Sequence, residues 1–279
     1  MRLGVHLFLI CKGISRSYDF KHGGFTVNSN LISQITWQDY KSKIADRVII
    51  IPTGSTEQHA SHLPLGTDSI LAETVAKKLA ERCDVFVAPT VNYGYKSLPT
   101  SGGGPLFPGT IDLNAATYIY LIKDIIKELI IDGWDKILIL NGHFENTPFL
   151  IEAADLLLRA QEEAFPRVII TDWYDHISQE TIDSVFDEVD FPGWELEHAA
   201  IMETSAMLYL CPELVKYDRI IDESLDNLPV YYTFPPSKTL IPESGSLHTA
   251  RSSSFEKGRL IIEDVVANLE NLLQQKFSV

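Results

Sequence analysis

From about Thr36 onward, short aliphatic runs rich in β-branched residues alternate with longer stretches whose apolar positions recur at helical spacing. "RVIIIPT", residues 47–53, is apolar at successive positions and predicts a strand buried on both faces; "DVFVAPT" (84–90), "KILIL" (136–140) and "RVIITDW" (167–173) read the same way. Between and after them, the 3.6-residue period predicts helices over about 68–82, 113–132, 147–163, 198–210 and 255–275. A Gly/Pro/Ser-rich stretch at 92–109 and a Pro/Ser-rich one at 227–246 read as loops. Strand and helix in alternation predict an α/β fold with one mostly parallel sheet covered by helices on both faces. In such sheets ligands gather at the carboxyl ends of the strands, which directs attention to the polar residues that follow each apolar run.

There is no internal repeat and no low-complexity linker, so residues 29–279 read as a single domain. Residues 1–28 lack the strand–helix rhythm and read as an N-terminal extension. Their beginning, "MRLGVHLFLICKGISRS", has a short apolar run, but His6 interrupts it and no small-residue cleavage site follows, which weighs against export. No segment approaches the roughly 20 apolar residues of a membrane span. The net charge of −15 is spread along the chain and speaks against nucleic acid or an anionic membrane as a partner. Cys11, Cys83 and Cys211 are far apart and have no metal-type spacing; they read as reduced, mostly buried thiols of a cytoplasmic protein.

Two strand ends carry the chemistry. "GSTEQHASHLPLGTDS" (54–69) follows the first strand and brings Glu57, His59, His62 and Asp68 within twelve residues, while "NGHFEN" (141–146) follows the third and carries His143 and Glu145. Imidazoles and carboxylates without thiolate make the ligand set of Zn²⁺ or Mn²⁺ in a hydrolytic site. The i, i+2 spacing of Glu57 with His59 and of His143 with Glu145 would, in extended backbone, aim each pair at one pocket. Together with Asp68 they offer five ligands, a number suited to two divalent ions sharing a carboxylate. His62 is left out of that set.

These motifs resemble the creatininase (creatinine amidohydrolase) family, whose pattern is approximately G-S-x-E-Q-H-G-x-H-L-P-L-x-T-D followed later by N-G-H-x-x-N. "YGYKSLPTSGGGPLFPGT" (93–110) and "GWELEHAAIMETS" (193–205) extend the resemblance, which runs from about Gln34 to the C-terminal helix and is nearest to creatininase proper. It implies a three-layer α/β/α sandwich, a homohexamer, and two metal ions, a zinc with a manganese or second zinc. It implies that Glu57 and His143 hold one ion, His59 and Glu145 the other, and that Asp68 bridges them. It further implies that Trp173, Trp194 and His198 face the substrate, and that Ser101 with the following glycines and Phe144 line the pocket.

The activity so implied is hydrolysis of a small neutral cyclic amide, creatinine to creatine and back, with a metal-bridging hydroxide as nucleophile. His198 is the candidate general acid and Glu145 the second candidate catalytic group. Glu195, Glu197 and Glu203 all stand near enough in sequence to orient His198, and the sequence does not choose among them. Trp173 and Trp194 follow loop or strand-end positions and offer indole faces to a flat ring, while Trp37 and Trp134 read as core or interface. Ala60 and Phe144 depart from the family's usual glycine and tyrosine. Other family chemistries stand as alternatives: deformylation, peptide trimming, hydrolysis of a cyclic keto-polyol, or a metal-binding protein without turnover. "GGG" at 102–104 lacks the Lys-Ser/Thr of a phosphate loop and is not read as one.

Overall fold

A computed structural model of the chain describes residues 30–278 apart from 45–46, 161–164, 226–227, 229 and 238. The N-terminal extension lies outside the described residues, except that the domain assigned to 29–279 begins among them at Asn30.

Four strands, β1 (Val48–Thr53), β2 (Val85–Val87), β3 (Lys136–Asn141) and β4 (Arg167–Asp172), form one sheet in the order β2-β1-β3-β4, and every pairing is parallel. The helices are α1 (Trp37–Lys41), α2 (Thr67–Arg82), α3 (Ala115–Asp132), α4 (Thr147–Ala160), α5 (Gln179–Val185), α6 (Ile201–Leu210) and α7 (Phe255–Phe277). The pleat explains why the central strands are apolar throughout. Val48, Ile50, Leu138 and Leu140 face a core shared with α2, α6 and α7, while Ile49, Ile51, Ile137 and Ile139 face the opposite core under α3 and α4. Sheet and two helical layers make the three-layer α/β/α sandwich that the alternation and the resemblance implied.

The chain leaves β1 to form β2 on one side and leaves β3 to form β4 on the other, so the winding reverses between the two central strands. That is where an open α/β sheet holds its ligands. Thr53 pairs with Asn141 at this point, and the loops that carry Glu57 and His143 leave side by side.

Three departures from the expected elements have local causes. The helix expected from residue 198 begins at Ile201, because Ala199 takes a left-handed conformation (φ 53°) that ends any helix before it can start. α1 and α5 are too short for a periodic signal; each is started by a hydroxyl, Thr36 accepting from Asp39 N–H and Ser178 from Thr181 N–H. Trp37 is 69% exposed on α1 and belongs to no core, whereas Trp134 is buried and donates to Tyr40 Oη. The stretch expected as a loop over 227–246 shows no helix or strand among its described residues. Cys83 and Cys211 are free thiols, each half-buried, and Cys11 lies outside the described residues. No helix among the described residues is long and apolar enough to cross a membrane.

Candidate metal centre and active site

Two asparagines hold the β3 end in place. Asn141 Oδ1 accepts from Thr53 Oγ1 at 2.9 Å and from Asn146 Nδ2 at 3.0 Å, while its amide donates to Asp172 Oδ1 at 2.5 Å. Asn146 also donates to Gly54 O and accepts from Tyr95 N–H, so one side chain ties the loops after β1, β2 and β3 together. Asp172 accepts further from Thr147 Oγ1, and burial pushes its carboxyl up to about 6 despite these donors. Gly142 is required between Asn141 and His143: a Cβ there would collide with the Asp68 carbonyl. Asp68 itself sits in the first turn of α2, where the helix dipole favours its negative charge.

Among the described residues the candidate ligands form three overlapping groups. Glu57, Asp68 and His143 make the first, His59, Asp68 and Glu203 the second, and Glu57, His59 and His198 the third; within each, one donor atom per residue lies within 4.8 Å of the others, and the first two, each with two carboxylates, share Asp68. His143 Nδ1 is 3.0 Å from Glu57 Oε1 and 3.2 Å from Asp68 Oδ2. His59 Nε2 is 2.9 Å from Asp68 Oδ1 and 3.7 Å from Glu203 Oε1.

The donor set fits a pair of divalent cations. Each imidazole uses one nitrogen on a backbone carbonyl, His59 Nδ1 on Glu57 O at 3.2 Å and His143 Nε2 on Tyr95 O at 3.1 Å, and aims the other at the carboxylates. That is how ligating histidines are oriented and their tautomer fixed. Glu57 Oε2 is buried without a hydrogen bond, a costly state that a cation would relieve, and His59 Nε2 and Asp68 Oδ2 meet only other candidate ligand atoms. Three carboxylates and two neutral imidazoles nearly balance two divalent charges.

The electrostatics of the site follow from the same contacts. Burial pulls His59 and His143 down, but Asp68 with Glu203 and Glu57 with Glu145 outweigh it and hold both imidazoles well above their ordinary pKa. Burial pushes Asp68, Glu57 and Glu203 up, yet the histidines beside them win and keep all three low, Asp68 at about 2. These carboxylates favour protonated imidazoles, so a cation bound among them would compete with protons on His59 and His143. Affinity is expected to rise with pH through the neutral range, by about tenfold per unit for each proton released. Calorimetry of zinc binding in two buffers of different ionisation enthalpy measures that release; heats independent of buffer would contradict it.

Glu145 stands apart from all three groups. His143 caps a single 3-10 turn, Phe144–Asn146, rather than continuing an extended strand. His143 is still extended while Glu145 sits inside the turn, so the alternation of a strand does not relate the two side chains and they make different contacts. The Glu145 carboxylate accepts from Ser101 Oγ in a short contact and from Leu98 N–H at 3.3 Å, and it meets His143 only at Nε2, 3.4 Å away. Burial holds its pKa above the usual range. Glu203, on the first turn of α6, occupies the position beside His59 that the resemblance gave to Glu145. The signal for it in "EHAAIMETS" was present, but only as one of three possible partners of His198.

None of those three glutamates bonds the His198 ring. Its Nε2 lies 2.9 Å from Gln58 O and 3.0 Å from Gln58 Nε2, and the ring rests against His59 with centroids 4.6 Å apart. Glu197 instead accepts from Met202 N–H at the start of α6, and Glu203 accepts from Ala199 N–H at 2.7 Å. His62 is buried on Thr204 Oγ1 and, with burial and His59 acting against its charge, is pushed down to about 4.

Around the carboxylates, one pocket is lined by Ser101, Phe144, Trp173, Trp194 and His198 together with Tyr174. Tyr174 packs against both Trp173 and Trp194, at 5.7 and 5.2 Å between ring centroids, and was not legible as a site residue beside two tryptophans. Trp173 is almost wholly buried with its Nε1 unpaired, whereas Phe144 is half exposed at the mouth. The glycine run approaches protein rather than solvent: a Cβ on Gly102 would meet Ser97 Oγ and the Glu57 carboxylate.

The departure at Ala60 has a backbone meaning. Ala60 and Ala199, each immediately after a site histidine, both have φ 53°, a left-handed conformation that costs an L-residue about 1–2 kcal/mol. Glycine recovers that strain but gives back about 0.5–1 kcal/mol of chain entropy. Ala60→Gly and Ala199→Gly are each expected to raise Tm by about 1–4 °C; a lower Tm by scanning calorimetry would contradict the strain.

With this geometry in view, comparison with known proteins is decisive. The family profile of creatininase, described as creatinine amidohydrolase, matches residues 33–273. The chain belongs to the creatininase family. It is 36% identical over 254 residues to the creatinine amidohydrolase of Pseudomonas putida, covering 89% of this chain and 98% of that one. Solved creatininase structures, among them a manganese form and a variant in a Zn-Zn form, superpose with a TM-score of 0.87 at 36% identity, over 90% of this chain and all of theirs. A mycofactocin precursor peptide peptidase from Mycolicibacterium smegmatis is 30% identical over 181 residues, 62% of each chain. The chain is thus a hydrolase of a metal-dependent amidohydrolase family that acts on more than one kind of amide.

Proposed function

We propose that the chain opens a small cyclic amide, creatinine to creatine and the reverse, at a site for two divalent ions, zinc or manganese. The observation that carries the reading is Asp68, whose two oxygens face His59 and His143 in separate ligand groups. Glu57, Asp68 and His143 would hold one ion and His59, Asp68 and Glu203 the other. When bound, such ions supply an activated water at neutral pH and polarise a carbonyl. Similarity to creatinine amidohydrolase over nearly its whole length, including a creatininase solved with creatine, supports creatinine over a peptide substrate.

The residues of the chain then have separable tasks. Trp194, stacked near Tyr174, offers an aromatic face to a flat guanidine-like ring, with cation–π attraction for a cationic product. An amide nitrogen leaves poorly until it is protonated, and His198 carries that proton at Nδ1, the ring nitrogen without a protein partner. Glu145, buried and raised in pKa, is a second proton carrier, oriented by Ser101 and Leu98. The indoles of Trp173 and Trp194 and the phenyl of Phe144 keep water off the bond being broken.

A coupled assay of creatinine and creatine in both directions, on protein with its metals counted, tests the reading. Interconversion at full occupancy is the expected result, and its failure removes creatinine while hydrolysis of another cyclic amide would keep the class. His198→Ala is expected to lower kcat by about 10²–10⁴-fold with the ions retained; near-normal kcat at saturating substrate would remove it as the acid. In the cell we propose a cytoplasmic homo-oligomer, a hexamer, which light scattering of the purified chain would test.

A further inference from the structure

Gln58 lies between two site residues, is 5% exposed, and touches the His198 ring. Its Oε1 accepts from Ala60 N–H at 2.8 Å. Its Nε2 lies 2.7 Å from Gly102 O, 2.9 Å from Gly245 O and 3.0 Å from His198 Nε2. The orientation of the amide is fixed by these partners, since a flipped side chain would set oxygen against two carbonyls and nitrogen against an N–H.

An amide nitrogen has two hydrogens, and the two carbonyl oxygens take both. None remains for His198 Nε2, so the contact between the two nitrogens is not a hydrogen bond to the ring. His198 Nε2 must instead carry its own hydrogen and donate it to Gln58 O, 2.9 Å away. We infer that Gln58 is a positioning residue that fixes the proton of neutral His198 on Nε2, leaves Nδ1 to the pocket, and locks the loops of Gly102 and Gly245 around it.

Two further features agree with this placement. A Cβ on Gly245, whose φ is 80°, would overlap the Gln58 amide, so the loop can approach only as glycine. Leu247 N–H lies 3.5 Å from His198 O, which brings the same loop to the histidine's backbone as Gln58 brings it to the ring. One residue thus spans the loop after β1, the glycine run, the turn before α6 and the loop before α7, all of which border the pocket or carry its walls.

The inference rests on His198 being the proton carrier, and its test separates the two. Long-range proton–nitrogen NMR of the zinc-loaded, histidine-labelled protein, assigned with His198→Gln, reads which ring nitrogen is protonated. In the wild type at a pH where the ring is neutral, the proton is expected on Nε2. In Gln58→Met, which no longer pins the backbone carbonyl that accepts from Nε2, the other tautomer is expected to appear; in Gln58→Glu, whose carboxylate oxygen would stand beside Nε2 and accept its hydrogen, the proton is expected to stay on Nε2. Both variants are expected to keep their two ions and their KM while kcat falls about 10–100-fold, the usual cost of removing an outer partner.

A wild-type proton on Nδ1 overturns the inference, whether or not the variants fold. So does Gln58→Met with an unchanged His198 spectrum and unchanged kcat. A wild type with the proton on Nε2 that opens no cyclic amide supports Gln58 as the positioning residue and overturns the functional reading. Creatinine turnover with the proton on Nδ1 does the reverse.

Discussion

Asp68→Ala is expected to lose both metal ions together and to leave activity more than about 10³-fold below wild type. Removing one stabiliser of a developing oxyanion costs roughly 10²–10³ in rate, and Asp68 turns one oxygen to His59 and the other to His143, joining the two carboxylate-rich groups. Its loss also leaves His59 and His143 without the carboxylate that both face at 2.9 and 3.2 Å. Each histidine would then be buried beside a single remaining carboxylate in its group. Elemental analysis after dialysis against one equivalent of zinc per site, with turnover on the same sample, measures the effect. Retention of one tightly held ion would show that the two groups bind independently and that Asp68 does not join them.

The second large effect separates two glutamates that sequence alone made interchangeable. Glu203→Gln is expected to release the ion beside His59 and keep the one beside His143, because Asp68 and Glu203 are the carboxylates within 4 Å of His59 Nε2 among the described residues. Glu145→Gln is expected to keep both ions while kcat falls about 10²–10⁴-fold, the range for a lost proton carrier. The geometry behind the contrast is the 3-10 turn at Phe144–Asn146, which sends Glu145 toward Ser101 and away from Asp68. Metal counts of one for Glu203→Gln and two for Glu145→Gln would bear it out. The opposite pair of counts would return Glu145 to the ligand set.

The sequence made the fold legible through its central strands, because a buried parallel strand must be apolar at every position and Val48–Ile51 and Ile137–Leu140 are. It also located the site, since the polar residues after those runs could only gather at the strand ends. Glu57, Asp68 and His143 do come together there, and His59 joins Asp68.

What it could not reveal is set by single residues acting on backbone. The i, i+2 rule presumes extended chain, and neither ligand pair lies in a strand; Glu57 meets His143 and His59 meets Asp68 and Glu203, although Glu57 and His59 are two apart. Ala199 breaks the expected helix at φ 53°, and this break lets Glu203 on α6 reach back to Ala199 N–H and to the metal side of His59. Gln58, a neutral amide between two candidate ligands, carries no charge or metal signature in the sequence, and its partners are carbonyls 44 and 187 residues away.

Zinc-edge anomalous diffraction from crystals of the zinc-loaded protein tests the central claim most directly. Two peaks are predicted, about 3.5–4 Å apart, one bounded by Glu57, Asp68 and His143 and the other by His59, Asp68 and Glu203, with Glu145 coordinating neither. A single peak, or a second peak coordinated by Glu145 with Glu203 turned away, would contradict the account.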